Sequence, residues 1–367
     1  MQRKVGILGA GQLGRMLALA GYPLDLHFRF IDPTPSAPAG QLSEQIVASF
    51  EDDQALVRFA AGLDVVSFEF ENVPVAAVRK LAKLLPVHPN AEALETAQDR
   101  VNEKSLCLKL GIATPAFAAV ESEQQLKSAL GVIGTPSILK TRRLGYDGKG
   151  QAILKDPQDA ASAWQSVGGA PSVLESFVHF DRELSLIAAR SESGEIAFYP
   201  LVENHHRHGI LRKSIAPAPR VSPALQKNAE ETSRRILEEL KYVGVLAIEF
   251  FEKDGKLLFN EMAPRVHNTG HWTIEGAETS QFENHLRAVT GMPIGSTKLR
   301  GFSCMLNFIG ALPDTTQLLK IPGCHVHLYG KEPRRGRKIG HCTLLADSHQ
   351  ELMERVALAE KLVQDDG

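Results

Sequence analysis

Residues 4–22 read KVGILGAGQLGRMLALAGY, an apolar run, a glycine-rich turn and a helical pattern in direct succession. A chain that starts this way is committed to alternating strands and helices, because a parallel neighbour for the first strand can be reached only through a crossover of about a dozen residues or more. HFRFID supplies a second strand, DVVSFEF a later one, VAAVRKLAKLL a further helix, and LPVHPN closes the unit. The expected product is a parallel, doubly wound α/β sheet over residues 1–98, with PTPSAPAG as a loop after the second strand.

At 367 residues the chain exceeds what one ordinary core organises, so two or three domains are expected. A second unit opens at QDRVNEKSLCLKLGIATP, where Asp99 caps a helix, Asn102 and Glu103 sit in its first turn, and Gly111 and Pro115 close it. PSILKTRR, a glycine loop and QAILK follow, then a helix through AASAWQSV and the strand SVLESFV. ELSLIAARSE and EIAFYPLVE form a hairpin around Ser193–Gly194, and ALQKNAEETSRRILEELKYV is a long amphipathic helix. SQFENHLRAVTGMP is a helix ending at Gly291, and the stretch from 297 onward reads as a small strand-rich cap closed by HQELMERVALAEKLVQ.

Composition removes several classes of function. Hydrophobic residues make up 43% and charged residues 23%, as in a soluble globular protein. The net charge of −2 argues against a general nucleic-acid or membrane binder. The four cysteines, Cys107, Cys304, Cys324 and Cys342, are far apart and read as reduced thiols, not as a disulfide frame or zinc site. No apolar run approaches the roughly 20 residues of a membrane span. The N-terminus passes directly into VGILGAG with no signal-peptide plan, so a cytoplasmic protein is expected.

Some motifs carry chemistry. GAGQLG at 9–14 follows a strand and opens a helix, and Asp32 ends the next strand where a ribose-binding acid would lie in a dinucleotide enzyme. By itself the motif is equally a ligand-free tight turn, or a seat for a phosphate or polar substrate group at a helix N-terminus. LGYDGKGQ at 144–151 is a second glycine loop, of hairpin type and not a P-loop, able to close as a lid. Gly145, Gly148 and Gly150 allow close approach, while Tyr146, Asp147 and Lys149 add a ring and both charges. Lys140, just before it, suits phosphate neutralisation beside loop amides. A flexible surface turn is the alternative. HHRH at 205–208 has the look of a metal tract, although loop histidines spaced this way are more often solvated. KEPRRGRK at 331–338 suits a clamp for one phosphomonoester better than nucleic acid, with a solvated basic loop as the alternative.

VGVLAIEFFEKDGKLLFNEMAPR is a strong hairpin that carries Glu249 on one strand and Glu261 on the other. With a three-residue turn at Lys253–Asp254–Gly255, Glu252 faces Lys256, Glu249 faces Phe259 and Ala247 faces Glu261. The two carboxylates are then diagonal neighbours on one face. A two-residue turn would put them on opposite faces. Adjacent carboxylates repel unless a cation lies between them, and hard oxygen ligands joined by phosphate oxygens suit magnesium. Two unrelated solvated glutamates are the competing reading, weakened by the apolar residues around them.

The order of these pieces resembles the ATP-grasp superfamily across nearly the whole chain. More narrowly, GAGQLGRM, GYDGKGQ, ENHHRHGI, NEMAPRVHNTGHWT and YGKEPRRGRKIGH resemble the N5-carboxyaminoimidazole ribonucleotide synthases of purine biosynthesis. The resemblance implies an α/β protein with a Rossmann-like N-terminal domain (1–98) and a mixed-sheet ATP-grasp domain (99–296). The latter contains a small lid, about 112–174, whose glycine loop spans 145–151, and a small C-terminal domain covers 297–367. It implies that Arg100, Lys140, Gly145 to Gln151 (including Tyr146, Asp147, Gly148, Lys149 and Gly150), Glu175, Ser176, Phe177, Val178, Glu183, His206 and Asn260 bind ATP. Glu249 and Glu261 would hold Mg2+, with Mn2+ as an alternative ion. Gln12, Leu13, Glu69, Tyr146, Asp147, Asn268, Lys331 and Arg337 would contact 5-aminoimidazole ribonucleotide. Arg265, His267, Asn268 and Lys331 are the catalytic candidates, the first three beside bicarbonate and carboxyphosphate. Leu144 departs from the pattern, because glycine is common there among relatives. A homodimer acting on small molecules, with no nucleic-acid or membrane partner, is the implied assembly.

Three rivals remain. A formate-dependent glycinamide ribonucleotide transformylase shares the glycine-loop and hairpin plan but lacks the Tyr-Asp pair. An NAD(P)-dependent dehydrogenase built on GAGQLG and Asp32 leaves the Glu249/Glu261 pair unexplained. A nucleotide-sensing module would bind ATP without turning it over.

Overall fold

The structure, a computed structural model, describes residues 3–145 and 149–363. Tyr146, Asp147 and Gly148, named above as ATP- and substrate-binding candidates, lie outside the described residues.

The N-terminal sheet contains β1 (Arg3–Leu8), β2 (Leu26–Asp32), β3 (Glu44–Val47) and β4 (Val65–Phe68) in the order β3-β2-β1-β4, all parallel. The order reverses between β1 and β4, so their C-terminal ends border a crevice, where open α/β sheets bind ligands. Residues 9–14 emerge from β1 and residues 69–72 from β4 at this crevice.

A four-stranded antiparallel sheet follows, with β5 (Phe117–Val120), β6 (Ser137–Thr141), β7 (Gln151–Leu154) and β8 (Ser172–Ser176) in the order β5-β8-β6-β7. It has its own core of Val120, Leu126, Leu130, Leu139, Leu154 and Leu174. A unit with a private core can move as a body relative to its neighbours.

The large sheet comprises β9 (Arg182–Arg190), β10 (Ile196–Phe198), β11 (Val202–Arg207), β12 (Ile210–Ala216), β13 (Gly244–Lys253), β14 (Lys256–Ala263), β15 (Phe302–Ile309), β16 (Cys324–Leu328) and β17 (Lys338–Ala346). Its order is β14-β13-β9-β11-β12-β15-β17-β16, with β10 on β9. The C-terminal strands therefore continue the same sheet through β12 and β15. EIAFYPLVE, expected as one strand, is broken into β10 and the start of β11.

One core joins the first and last of these layers. Val5, Ile7, Phe28 and Phe30 pack with Trp272, Phe282, Leu286 and Met305, all nearly inaccessible to solvent. At roughly 1.5–3 kcal/mol per large apolar side chain, this shared core holds the β1/β4 crevice in fixed relation to the large sheet.

Two β-bulges aim side chains into the cleft between the sheets. The first corrects the expected hairpin register. Lys253 pairs with Lys256, so the turn contains only Asp254 and Gly255, both left-handed at φ 50° and 71°. An Asp-Gly pair of this kind matches the twist of the flanking strands. Unmodified, that turn would put the two carboxylates on opposite faces. A bulge at Asn260 removes the conflict and sets Glu249 directly opposite Glu261. The second bulge lies between His205 and His206 in the β11–β12 pairing, so HHRH is not all loop: His205 to Arg207 end a strand and His208 opens the turn at φ 52°.

Candidate active site

Two adjoining cavities, of about 440 and 290 Å³, lie between the three sheets. The larger is bordered by Gln12, Leu13, Glu69, Gly145, Arg265 and Lys331 among the expected residues. The smaller is bordered by Lys140, Lys149, Gln151, Glu175, Ser176, Phe177, Val178, Glu183, His206 and Asn260. Arg100, Glu249, Glu261, His267, Asn268 and Lys338 border both. The carboxylate pair thus stands at the junction of two chambers, and the second glycine loop reaches each of them. Gly150 and Arg337 border neither: Gly150 sits at φ 69° with its carbonyl accepting from Thr141 N–H at 2.8 Å, and the Arg337 guanidinium donates to Glu332 O at 3.2 Å. Leu144 adopts φ 62°, a left-handed conformation that glycine takes without strain.

The first glycine turn is already engaged. Glu69, leaving β4, accepts from the N–H groups of Gly11 and, at 2.7 Å, Gly14. Burial holds its carboxyl above the ordinary range despite these bonds. Asp32 accepts from Ala10 N–H at 3.0 Å and from Thr34 N–H at 2.7 Å, so it fastens the turn. A dinucleotide pyrophosphate would need the amides that Glu69 occupies, and the dehydrogenase reading loses its site. Lys331 reaches Gln12 Oε1 from the far side of the same chamber. Burial pushes its amine down to about 8, against the pull of Glu69.

At the junction, Arg100 donates to Glu261 Oε2 at 2.7 Å and holds that carboxyl below the usual range in spite of its burial. Glu249 is driven upward by burial and by Glu261. The donor set fits a hard divalent cation: two facing carboxylates and, beside them, the buried Asn260 Oδ1, which has no hydrogen-bond partner. Among the described residues no group of three or more His, Cys, Asp or Glu is arranged to hold a metal, so phosphate oxygens would have to complete such a site.

His267 Nδ1 is bonded to Thr269 Oγ1 at 2.9 Å, leaving Nε2 toward Glu249, 3.7 Å away. Burial, with Arg265 and Lys338 nearby, holds the ring well below its ordinary pKa and therefore neutral. Asn268 exchanges two amide hydrogen bonds with Asn307, at 3.0 and 2.7 Å, which fixes its orientation. In the smaller chamber, Lys140 bonds Glu175 at 3.0 Å, and Glu175 is 1% exposed. Its Oε2 is thus committed to lysine, while Oε1 is buried without a hydrogen-bond partner. His206, turned by the β11–β12 bulge, meets Glu183 at 2.8 Å; burial opposes its charge, but this bond and the negative charges of Glu249 and Glu183 together raise its pKa.

Over 98% of its length and 99% of the other, the chain is 53% identical to the N5-carboxyaminoimidazole ribonucleotide synthase of Pseudomonas aeruginosa. The chain belongs to the N5-carboxyaminoimidazole ribonucleotide synthase family. Models of a ribonucleotide synthetase preATP-grasp domain, an ATP-grasp domain and a phosphoribosylaminoimidazole carboxylase C-terminal domain match residues 1–98, 105–282 and 303–355. The crystal structure of N5-carboxyaminoimidazole ribonucleotide synthetase from Thermus thermophilus superposes with a TM-score of 0.95 at 56% identity, covering 98% of this chain and 99% of that one. The synthase from Aspergillus clavatus, in complex with ADP and 5-aminoimidazole ribonucleotide, gives 0.92 at 32% identity, covering 99% of each.

Several residues of this family member are not singled out by the sequence motifs. Glu71 accepts from Arg265 Nε and orients that guanidinium. Lys338, inside the KEPRRGRK run but given no role of its own there, borders both chambers. Glu103 and Lys104 are 2% and 0% exposed beneath the junction, and burial, with Glu261 nearby, raises Glu103 to about 8. The signal present in the sequence is R-x-x-E-K in QDRVNEKS, a charged i, i+3, i+4 face on a helix, which ordinarily marks a solvated surface.

Proposed function

We propose that this chain carboxylates the amine of 5-aminoimidazole ribonucleotide with bicarbonate, using ATP through carboxyphosphate, to give N5-carboxyaminoimidazole ribonucleotide, ADP and phosphate in purine biosynthesis. The observation that carries this reading is the pair of chambers sharing Glu249 and Glu261, so that two substrates meet where phosphoryl transfer would occur. The smaller chamber takes ATP, with the strand end Glu175–Val178 toward the base and Lys140, Lys149 and Arg100 toward the phosphates. The larger takes the ribonucleotide, its phosphate facing Lys331 and the start of the Gln12–Gly21 helix, where Glu69 leaves the Gln12 and Leu13 amides to the ligand.

Glu249 and Glu261 would hold Mg2+ or Mn2+, which supplies charge compensation for the phosphates when bound. Phosphoryl transfer depends on positioning and charge compensation more than on covalent chemistry from the protein. Bicarbonate oxygen attacks the γ-phosphorus as its bond to ADP breaks. The amine nitrogen then attacks the carboxyphosphate carbon, phosphate leaves, and the nitrogen loses a proton. Arg265, held by Glu71, faces the developing negative charge. Neutral His267 donates or accepts a hydrogen bond at Nε2 and is a poor proton acceptor. Asn268, locked by Asn307, presents a fixed dipole. The lid with its loop at 145–151 excludes water from carboxyphosphate. The domain division at 98 and 296, a homodimeric assembly and a cytoplasmic location belong to the same reading. No helix among the described residues is long and apolar enough to cross a membrane.

ADP release with each substrate omitted in turn tests the proposal. Full turnover needs ATP, bicarbonate and the ribonucleotide together, and ATP alone turns over weakly. Equal ADP release without the ribonucleotide removes the reading that two substrates meet at the junction. Turnover with formate and glycinamide ribonucleotide in place of the proposed pair removes the substrate assignment.

A further inference from the structure

β14 is an edge strand, so its outward N–H and C=O groups need partners that β13 cannot supply. Phe259 N–H donates to Ala113 O at 2.8 Å, and Thr114 Oγ1 donates to Phe259 O at 3.2 Å. Lys104 Nζ donates to Asn260 O at 3.3 Å, with Thr114 Oγ1 and Glu175 Oε2 each 3.4 Å away. Met262 N–H donates to Glu103 Oε1.

The last two contacts exist only because of the bulge. With Phe259 facing outward, strict alternation would next turn Glu261 outward and return Asn260 and Met262 to β13. The extra residue breaks the alternation and presents Asn260 C=O and Met262 N–H to the Arg100–Lys109 helix. On that helix Arg100, Glu103 and Lys104 share one face at i, i+3 and i+4, and they address Glu261, Met262 and Asn260 respectively. The Glu103–Met262 bond is buried and the Lys104–Asn260 bond partly so, and an unmade hydrogen bond there is costly.

We propose that Glu103 and Lys104 are positioning residues for the carboxylate pair: they hold the Asn260 bulge that keeps Glu249 and Glu261 on the cleft face. This rests on reading that pair as the cation seat. Neither side chain needs to touch nucleotide or cation to do so.

The test is Mn2+ binding followed by electron paramagnetic resonance, with ADP present and the full chain throughout. Lys104→Met and Glu103→Leu should weaken Mn2+ by about tenfold or more, as losses behind a metal site do. Glu103→Gln keeps the acceptor for Met262 N–H and should bind as wild type. Thr114→Val, a change of the same shape, removes the hydroxyl linking Lys104 to Phe259 O and should weaken Mn2+ by about threefold. Hydrogen exchange over residues 257–263 should accelerate in each weakened variant. Ile236→Ala, in the core behind the sheet, should lose thermal stability yet hold Mn2+ normally. Normal Mn2+ binding by Thr114→Val, or an equal loss in Ile236→Ala, overturns the proposal even if Lys104→Met does not fold. A wild type whose Mn2+ signal is unaffected by Glu249→Gln refutes the cation seat itself, and this proposal with it.

Discussion

Glu249 stands directly across the β13–β14 ladder from Glu261, and Arg100 donates to Glu261 at 2.7 Å. The partnered carboxyl is held down and its neighbour is pushed up. A carboxyl raised on folding stabilises the fold while protonated, and that stability is lost as pH rises through its folded pKa. Glu249→Gln should therefore raise the melting temperature in EDTA at pH 8, by about 2 °C or more, with the difference shrinking toward pH 5. Turnover should be lost. Glu261→Gln should do the opposite to stability, because it strands a mostly buried guanidinium. Calorimetry of both variants checks the asymmetry.

Lys331 titrates near 8 and must be charged to hold a phosphomonoester. The ribonucleotide KM should be flat from about pH 6 to 7.5 and rise up to about tenfold per pH unit above 8. Lys331→Arg should flatten that rise, since guanidinium stays charged. A flat profile to pH 9 in the wild type would remove Lys331 from the phosphate.

Lys331→Ala should raise the ribonucleotide KM by about tenfold or more while leaving that of ATP within about twofold. Arg337→Ala should do less, because its guanidinium already bonds Glu332 O and lies outside the chamber lining. Steady-state kinetics with each substrate varied separates the two.

A Cβ on Gly11 would lie 2.5 Å from Glu69 Oε1, although its backbone φ of −77° suits any residue. Gly11→Ala should displace Glu69 from the glycine-turn amides with little effect on global stability. Ribonucleotide affinity should fall by about tenfold, and ATP affinity in the other chamber should be unchanged. Binding calorimetry with each ligand alone checks this.

Much of the organisation is local and legible in residue order. All three runs form strands as expected: the apolar stretches of KVGIL and DVVSFEF are buried on both faces, as parallel strands commonly are, whereas HFRFID alternates, with His27 exposed and Arg29 half-buried. Asp99 caps its helix by accepting from Val101 N–H, as its type and place suggest. The glycine turns, the basic residue before the second loop and the paired glutamates are likewise visible as residue types at spacings with few uses.

Other features depend on partners distant in the chain. The hairpin's two-residue turn follows from Asp254–Gly255, but the bulge at Asn260 that reverses its consequence is stabilised by Glu103 and Lys104, about 160 residues upstream. Glu69 takes the glycine-turn amides only because β4 lies beside β1, and His206 faces Glu183 only because β11 is bulged. Short-range pattern determines what a segment can become, because capping, periodicity and turn geometry act over a few residues. Which carboxylate meets a cation and which meets an amide is decided by packing, because burial and pairing energies exist only once distant segments exclude water together.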